Sequence, residues 1–269
     1  MKQVTFIGGG NMARALAQGL RRTMPATVIH VVEPSTAQHN GLQGVADRIV
    51  LAPDRQLVAG SDLVVLAVKP QSMATACAAL TPCLAGELVL SIAAGTPIEQ
   101  IARWLGGHRR IARSMPNTPA LVGQGMAGLF VPATLQAHDA DRAEALLAAC
   151  GQVMRVDSEA ALDAITAVSG SGPAYVFHWI EAMTTAAENV GFSPEDASRL
   201  VLATLRGALA LAEQSDESPA TLRERVTSKG GTTAAALDVL TQRAVTSAYV
   251  AAVAAARRRA EELARFPQD

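Results

Sequence analysis

The sequence VTFIGGGNMA at residues 4–13 decides the fold of the first half of the chain. A short apolar run rich in β-branched residues ends at three glycines, and a helical pattern follows at 11–22. The spacing of Gly8, Gly10 and Ala13 fits G-x-G-x-x-A. In this motif the first glycine makes a tight turn, the second lets backbone approach a pyrophosphate, and the small last residue permits close packing of helix and sheet. The sequence therefore predicts a strand, a turn and a helix whose N-terminus binds a dinucleotide.

Further strand-like runs follow at 28–32, 63–68 and 88–92. They are continuously apolar rather than alternating, which is typical of parallel strands covered on both faces. Helical stretches lie between strands at 71–84 and 97–105, and Thr96 is the predicted N-cap of the second, with Pro97 as its first residue. Weaker runs extend the sheet at 110–114, 128–132 and 153–156. This alternation predicts an α/β fold, a Rossmann-type doubly wound sheet.

After Asp157 the strand signal ends and the pattern becomes helical. We therefore expect a dinucleotide-binding domain at 1–160 and an all-helical domain at 161–269. Helices are predicted at 174–190, 194–214, 219–228 and 233–266. Two of them, the first and the last, are apolar around much of their surface, and so small a domain has little interior in which to bury them. The sequence therefore predicts a homodimer formed through the C-terminal helices.

The composition excludes several classes of partner. Lys and Arg number 23 against 24 Asp and Glu, so the net charge of −1 provides no basic surface for nucleic acid or an anionic membrane. Aromatic residues are only 3% of the chain, and the three cysteines have no C-x-x-C spacing. The apolar stretch at the N-terminus is too short for a signal sequence, and no run reaches about 18 apolar residues. We expect a cytoplasmic protein with reduced cysteines.

Glu33 bears on the choice between NADH and NADPH. It ends the second strand, 25 residues after Gly8 (33 − 8 = 25), close to the spacing of the acidic residue that binds a ribose 2′-hydroxyl. A carboxylate there favours NADH because it repels a 2′-phosphate. The hydroxyl groups of Ser35 and Thr36 could instead accept a phosphate if Glu33 points away. A solvent-facing Glu33 in a turn is the third interpretation, and the preference stays open at this point.

A second glycine-containing helix start lies in SKGGTT, at residues 228–233. Its unpaired backbone N–H groups and two hydroxyls could bind a small carboxylate. The alternative is that Thr232 or Thr233 simply caps the helix. Lys69, at the end of VLAVKP, is either a cofactor or substrate contact or a charge at the end of a strand. The histidines show no metal-binding spacing, and no metal site is expected.

Six segments, FIGGGNMA, VLAVKP, SIAAG, MPNTPA, SGSGPAYVF and SKGGTT, together resemble the pyrroline-5-carboxylate reductases. They occur in order from residue 6 to residue 233, so the resemblance covers most of the chain. It implies an oxidoreductase of proline biosynthesis that reduces L-1-pyrroline-5-carboxylate to L-proline with NADPH or NADH. It also implies a Rossmann domain followed by interlocked helical domains, so that one site combines the Rossmann domain of one subunit with the SKGGTT segment of the other, and oligomers of dimers can form.

The resemblance also implies site residues. Thr233 is the candidate catalytic residue, because the family threonine that hydrogen-bonds the substrate imine nitrogen falls there. The backbone N–H groups of Gly231, Thr232 and Thr233 are expected to bind the substrate carboxylate, and a family glutamate falls on Glu159. Glu33 and Asp54 are counted among the cofactor contacts because they fall where the adenosine ribose is expected. The expected cofactor contacts are Ile7, Gly8, Gly9, Gly10, Asn11, Met12, Glu33, Ser35, Asp54, Ala67, Val68, Lys69, Pro70 and Ala94.

The chain departs from the family pattern at two positions. Lys229 stands where the family usually has proline, and Asp54 where it commonly has asparagine. Two other functions remain open on the sequence alone. One is another Rossmann imine or 2-hydroxyacid reductase, although β-hydroxyacid enzymes usually need a lysine on the first C-terminal helix and none lies at 172–191. The other is a non-catalytic dinucleotide-sensing protein.

Overall fold

The computed structural model describes residues 1–265. Its strands are β1 Gln3–Ile7, β2 Val28–Val32, β3 Arg48–Val50, β4 Leu63–Leu66, β5 Val89–Ser91, β6 Ile111–Pro116, β7 Gly125–Phe130 and β8 Gly151–Arg155. Its helices are α1 Asn11–Thr23, α2 Thr36–His39, α3 Arg55–Val58, α4 Met73–Leu80, α5 Ile98–Trp104, α6 Ala137–Ala148, α7 Ala161–Ile165, α8 Gly172–Asn189, α9 Pro194–Gln214, α10 Pro219–Arg225, α11 Thr232–Gln242 and α12 Val245–Arg265.

The eight strands form one sheet in the order β3-β2-β1-β4-β5-β6-β7-β8. The first six are parallel, with Val4 of β1 paired to Ile29 on one side and to Leu63 on the other. The strand order reverses between β1 and β4, and in open α/β sheets this switch point opens the crevice that binds ligands. The predicted doubly wound Rossmann sheet is confirmed.

Alternate side chains of the central strands pack on opposite faces of the sheet. Val4 and Phe6 belong to a buried cluster that includes Leu16 of α1, whereas Ile7 and Val64 belong to a second cluster with helices α4 and α5. All of these side chains are almost completely buried. The continuous apolar runs in the sequence are therefore explained by helices on both faces of the sheet.

By its internal contacts the chain divides into two compact units. Unit 1 contains residues 1–173 and the described part of the chain from Ala255 onward, and unit 2 contains residues 174–254. The helical content after β8 agrees with the predicted all-helical C-terminal region. Helix α12 contributes to both units, because its last eleven described residues, 255–265, belong to unit 1.

The helices of unit 2 leave large apolar side chains uncovered. Helices α8 and α11 contain no buried residue in the single chain; the sequence predicted that α8 is buried between two subunits. Phe177 is 64% exposed, Leu209 57% and Val250 66%. Within residues 1–265 no single helix has the length and apolar composition to cross a membrane, and α11 and α12 meet that criterion only together, as a pair bent by 49°.

Several predicted details were wrong. Thr96 does not cap α5: its hydroxyl donates to the Ala94 carbonyl, and the N-cap position is Pro97. The helix predicted at 233–266 is two helices, separated at Ala244, whose φ of 53° no continuous helix permits. Its predicted last residue, Phe266, lies outside the described residues. Strand β3 and helix α6 were missed, and β7 runs antiparallel to β6.

Candidate nucleotide and substrate sites

The turn between β1 and α1 needs a glycine at position 8. Gly8 has a φ of +101°, and a Cβ atom there would lie 2.7 Å from the Ala67 carbonyl oxygen. Its N–H donates to the Val32 carbonyl at 2.8 Å. The ends of β1, β2 and β4 thus meet at one residue without a side chain. The predicted role of Gly8 in a tight turn is confirmed.

Gly10 lies at the N-terminus of α1 and faces open space. A Cβ atom at Gly10 would meet no atom of residues 1–265 within 4 Å. The helix start has no side-chain cap and no acidic residue in its first turn, so its first N–H groups are left to an external acceptor. Ala13 is 1% exposed and packs in the core, as predicted. This arrangement fits a pyrophosphate, which needs free N–H donors and close approach to backbone.

A cavity of about 640 Å³ lies beside this turn, at the carboxyl ends of β1, β2 and β4. Its volume is in the range of small-molecule and cofactor sites. Apolar residues on the far side of β2, including Leu51 and Pro53, give it a wall on which a flat ring could lie. Eight of the predicted cofactor contacts line it: Ile7, Gly8, Gly10, Glu33, Ser35, Ala67, Val68 and Lys69.

The other six predicted cofactor contacts do not line this cavity. The Asp54 carboxylate accepts the Gln56 N–H at 2.9 Å and so caps the short helix α3. Met12 packs against the core, and Ala94 lies in the loop that follows β5. The remaining three are Gly9 and Asn11, which flank Gly10, and Pro70, which follows Lys69.

The Glu33 carboxylate faces the glycine turn and not the solvent. One of its oxygens accepts the Gly9 N–H at 2.8 Å, and the other accepts the Ser35 N–H at 2.8 Å. A Cβ atom at Gly9 would lie 2.6 Å from Leu42 Cδ1 and 3.2 Å from the Glu33 Cβ, so a larger residue there would force these side chains to shift. The interpretation of Glu33 as a solvent-facing turn residue is therefore wrong. Its charge lies at the edge of the cavity together with Ser35.

Glu159, a predicted substrate contact, is engaged by two donors within unit 1. Its Oε1 accepts the Ile98 N–H at 2.7 Å and a guanidinium N–H of Arg113 at 2.6 Å. Sequence reasoning missed Arg113, which is 4% exposed although it lies in β6. The signal was an arginine in a predicted strand directly before MPNTPA. Burial raises the pKa of the neighbouring Asp163, and the positive charge of Arg113 opposes that rise.

Asn117, in MPNTPA, connects three segments of unit 1. Its amide nitrogen donates to the carbonyl and the hydroxyl of Ser169, each at 3.1 Å, and its amide oxygen accepts the Met126 N–H at 2.8 Å. The segments MPNTPA and SGSGPAY, which carried much of the family resemblance, are therefore adjacent in the fold. Asn117 is largely buried, so its role here is to hold these segments together.

The segment at 228–233 begins helix α11 of unit 2. The N-cap is Gly231, without a side-chain cap, and Thr232 and Thr233 are the first two helical residues. The interpretation of a threonine as the N-cap is therefore wrong. Gly230 has a φ of +73°, and a Cβ atom at Gly231 would lie 2.4 Å from the Ser228 hydroxyl oxygen. The first N–H groups of α11 are thus presented by a tight glycine turn, as the interpretation of a carboxylate site requires.

Comparisons with known proteins cover both units. Residues 159–263 match the family described as pyrroline-5-carboxylate reductase dimerisation, and residues 3–95 match NADP oxidoreductase coenzyme F420-dependent. The chain is 45% identical to a pyrroline-5-carboxylate reductase of Pseudomonas aeruginosa, over 97% of each chain. The solved pyrroline-5-carboxylate reductase of Coxiella burnetii is 38% identical, with a TM-score of 0.89 and 98% coverage of each chain. The solved enzyme of Plasmodium falciparum with NADP bound is 28% identical, with a TM-score of 0.87 and the same coverage.

Proposed function

The chain belongs to the pyrroline-5-carboxylate reductase family, and we propose that it reduces L-1-pyrroline-5-carboxylate to L-proline with NADPH or NADH, the last step of proline biosynthesis. The observation that carries this proposal is the 45% identity to a reductase of that name over 97% of both chains. The two glycine turns, at residues 8–10 and 230–231, supply the local geometry that a dinucleotide and a small carboxylate need.

The nucleotide would bind in the cavity beside the glycine turn. The N–H groups at the start of α1 would hold the pyrophosphate, and Gly10 leaves the space for its approach. Glu33 and Ser35 would contact the adenosine ribose, and Lys69 also lines the cavity. Asn11 and Met12 would donate backbone N–H groups to the pyrophosphate. Pro70, Ala94 and Asp54 would act indirectly, by fixing the segments in which they lie: Pro70 follows Lys69, Ala94 lies in the loop after β5, and Asp54 caps α3.

The substrate would bind at the start of α11. The N–H groups of Gly231, Thr232 and Thr233 would hold its carboxylate, since this helix start has no side-chain cap of its own. The Thr233 hydroxyl would hydrogen-bond the imine nitrogen. The substrate would thus be a small anion held by backbone donors, which needs no basic surface and agrees with a chain whose formal net charge is only −1.

Reduction of a C=N bond moves electrons onto the imine nitrogen, so that nitrogen needs a hydrogen-bond donor or a proton as the reaction proceeds. NADPH or NADH, when bound, supplies the hydride to the imine carbon. The contribution of the chain is to align the two carbons and to support the nitrogen through Thr233. A proton from solvent then completes the amine of proline.

We also propose which function each part of the chain carries. Residues 1–160 would carry the nucleotide, and residues 161–269 would carry dimerisation and substrate binding. The dimer would form through the exposed apolar faces of α8, α9, α11 and α12, and dimers could assemble further. Cys77, Cys83 and Cys150 are free and buried, and burial raises the pKa of the Cys77 thiol to about 12, which suits the reducing cytoplasm.

The test is an assay of NADPH and NADH oxidation, followed by absorbance, with L-1-pyrroline-5-carboxylate as substrate. We expect substrate-dependent oxidation and formation of L-proline with at least one nucleotide. A 2-hydroxyacid reductase would instead oxidise the nucleotide with a 2-oxoacid, and a dinucleotide sensor would bind nucleotide without turnover. The absence of proline formation with either nucleotide would exclude the proposed function.

A further inference from the structure

The start of α5 is capped from a distant part of the chain. Its N-cap position is Pro97, which has no N–H and no capping side chain, and the Ile98 N–H donates to Glu159, 61 residues later, at 2.7 Å. The same carboxylate oxygen accepts a guanidinium N–H of Arg113 at 2.6 Å. One oxygen atom therefore joins α5, β6 and the segment that precedes α7.

Arg113 is held in an environment that is unfavourable for a charge. It is 4% exposed, and its Nε is buried without a hydrogen-bond partner among the described residues. A buried guanidinium is tolerated only beside a well-placed carboxylate. Arg113 pairs in the sheet with Ser91, the last residue of β5. The ion pair thus lies next to the point where β5 ends and the loop to α5 begins.

The segment at 92–97, which we call the β5–α5 loop, is packed from another side by α12. Gly95 has a φ of +64°, and a Cβ atom there would lie 3.0 Å from the Leu263 Cβ. Thr96 and Ala93 are also buried. The loop is therefore fixed at Gly95 by packing against α12 and at Ile98 by the Glu159 carboxylate. Both contacts lie within unit 1.

We propose that Glu159 and Arg113 are positioning residues that hold the β5–α5 loop in the orientation needed for hydride transfer. The inference rests on the proposed function. In an open α/β sheet the ligand crosses the switch point, here between β1 and β4. With pyrophosphate at α1 and the adenosine cavity on the β2 side, the nicotinamide half belongs on the β4 and β5 side, where this loop leaves the sheet.

This role differs from the substrate contact that the family resemblance implied for Glu159. A residue that binds substrate equally before and during the reaction changes KM, whereas a residue that aligns the reacting carbons changes kcat. Misplacement by about 1 Å can lower a rate about 100-fold. The two roles therefore give different kinetic results for the same substitution.

The experiment compares Glu159→Ala with Glu159→Gln in the full-length protein. Alanine removes the acceptor for Ile98 and the partner of Arg113, whereas glutamine keeps an acceptor oxygen and loses only the charge. We expect kcat to fall about 10- to 100-fold in the alanine variant, with the KM for pyrroline-5-carboxylate within about twofold of the wild type. The glutamine variant should recover part of kcat. Arg113→Met should behave like the alanine variant.

Hydrogen exchange of the Ile98 amide gives a readout that needs neither substrate nor turnover. In nucleotide-free protein this amide should exchange faster in the alanine variant and near the wild-type rate in the glutamine variant. Titration with each nucleotide measures whether binding at the pyrophosphate turn is retained. We expect it to be retained, because the turn at Gly8 and Gly10 does not contact Glu159.

Asp139→Asn is the matched control. Asp139 is buried and forms an ion pair with Arg110, a partly exposed arginine directly before β6, and it lies in the first turn of α6. Its loss should lower the melting temperature but leave kcat and Ile98 exchange unchanged. Unchanged Ile98 exchange in Glu159→Ala would overturn the proposal, and so would a higher KM with unchanged kcat. A wild-type protein that forms no proline would count against the proposed function, while the exchange data would still test the contact.

Discussion

Helices α1 and α11 begin at glycines in nearly the same conformation but receive very different support from the chain. Gly10 has φ −68° and ψ −177°, and Gly231 has φ −82° and ψ 175°. Neither helix start has a side-chain cap. Six residues of α1 are buried in the core of unit 1, whereas α11 has none. Both helix starts thus leave backbone N–H groups for an anion, whereas α11 adds the hydroxyls of Thr232 and Thr233 and lacks the buried packing of α1.

The difference in packing indicates whether one chain can support each half of the proposed site, or whether a second copy is needed. The turn before α1 is fixed by contacts from residues at the ends of β2 and β4 of the same chain, so a single chain would contain the proposed nucleotide half. The turn before α11 is carried by helices whose apolar faces are exposed. In the proposed dimer a second copy covers these faces, and its absence should leave the substrate half without support.

The largest effect is expected from a charge on the exposed apolar face of α8. Phe177→Glu places a carboxylate where the proposed dimer buries an aromatic ring that is 64% exposed in the single chain. An unpaired buried charge costs about 3 kcal/mol or more, which weakens the dimer at least about 100-fold. Light scattering should show monomers that lack reductase activity and still bind nucleotide. The control is Val122→Glu, at an exposed residue of unit 1, and this variant should remain dimeric. A Phe177→Glu protein that is dimeric and active would contradict the prediction.

Thr233→Ala tests the substrate half directly. It removes the hydroxyl proposed to support the imine nitrogen and keeps the backbone N–H proposed to hold the carboxylate. We expect kcat to fall about 10- to 1,000-fold, as for the loss of one polar transition-state contact. Nucleotide affinity measured by fluorescence titration should not change. The control is Thr241→Ala on the same helix, where the hydroxyl only donates to the Leu237 carbonyl. An unchanged kcat in Thr233→Ala would remove Thr233 from the mechanism.

Gly10→Ala should weaken nucleotide binding without weakening the fold. A Cβ atom at Gly10 meets no protein atom within 4 Å, so it would occupy only the space proposed for the pyrophosphate. A loss of about tenfold in affinity corresponds to about 1.4 kcal/mol. Gly8→Ala differs because of its φ of +101° and its contact with Ala67, and it should also lower the melting temperature. If Gly10→Ala binds both nucleotides as the wild type does, the pyrophosphate lies elsewhere.

The two glycine helix starts could be predicted from sequence because their signals are local. At residues 4–13 the strand, the turn glycines and the helix follow one another, and each supports the same interpretation. The family resemblance added the order of the motifs and the candidate role of Thr233. The sequence could not show that Glu33 turns back to the Gly9 N–H, because a side-chain direction depends on packing as well as on spacing.

Long-range contacts account for most of the errors. Thr96 and Pro97 have the residue types of a helix start, but the donor that needs a partner is the Ile98 N–H, and its acceptor is Glu159. The break at Ala244 has no glycine or proline to mark it, so an apolar helical pattern continues through it. Arg113 was missed because its carboxylate partner, Glu159, is 46 residues away, so no local pattern marks the ion pair.

The smallest effect is expected at Asp139, which does not line the cavity beside Gly8 and Gly10. Burial disfavours its charge, but the hydrogen bonds and the charge of Arg110 outweigh burial and lower the pKa of the carboxyl. A carboxyl with a lowered pKa stabilises the fold above its unfolded pKa of about 4, and this contribution is lost as the pH falls through the folded value. Asp139→Asn should therefore lower the free energy of unfolding at pH 7 by about 1–3 kcal/mol. Denaturant unfolding across pH should show the difference shrinking below about pH 4, with nucleotide affinity unchanged throughout. A difference that is independent of pH would show that the substitution acts through packing rather than through the charge.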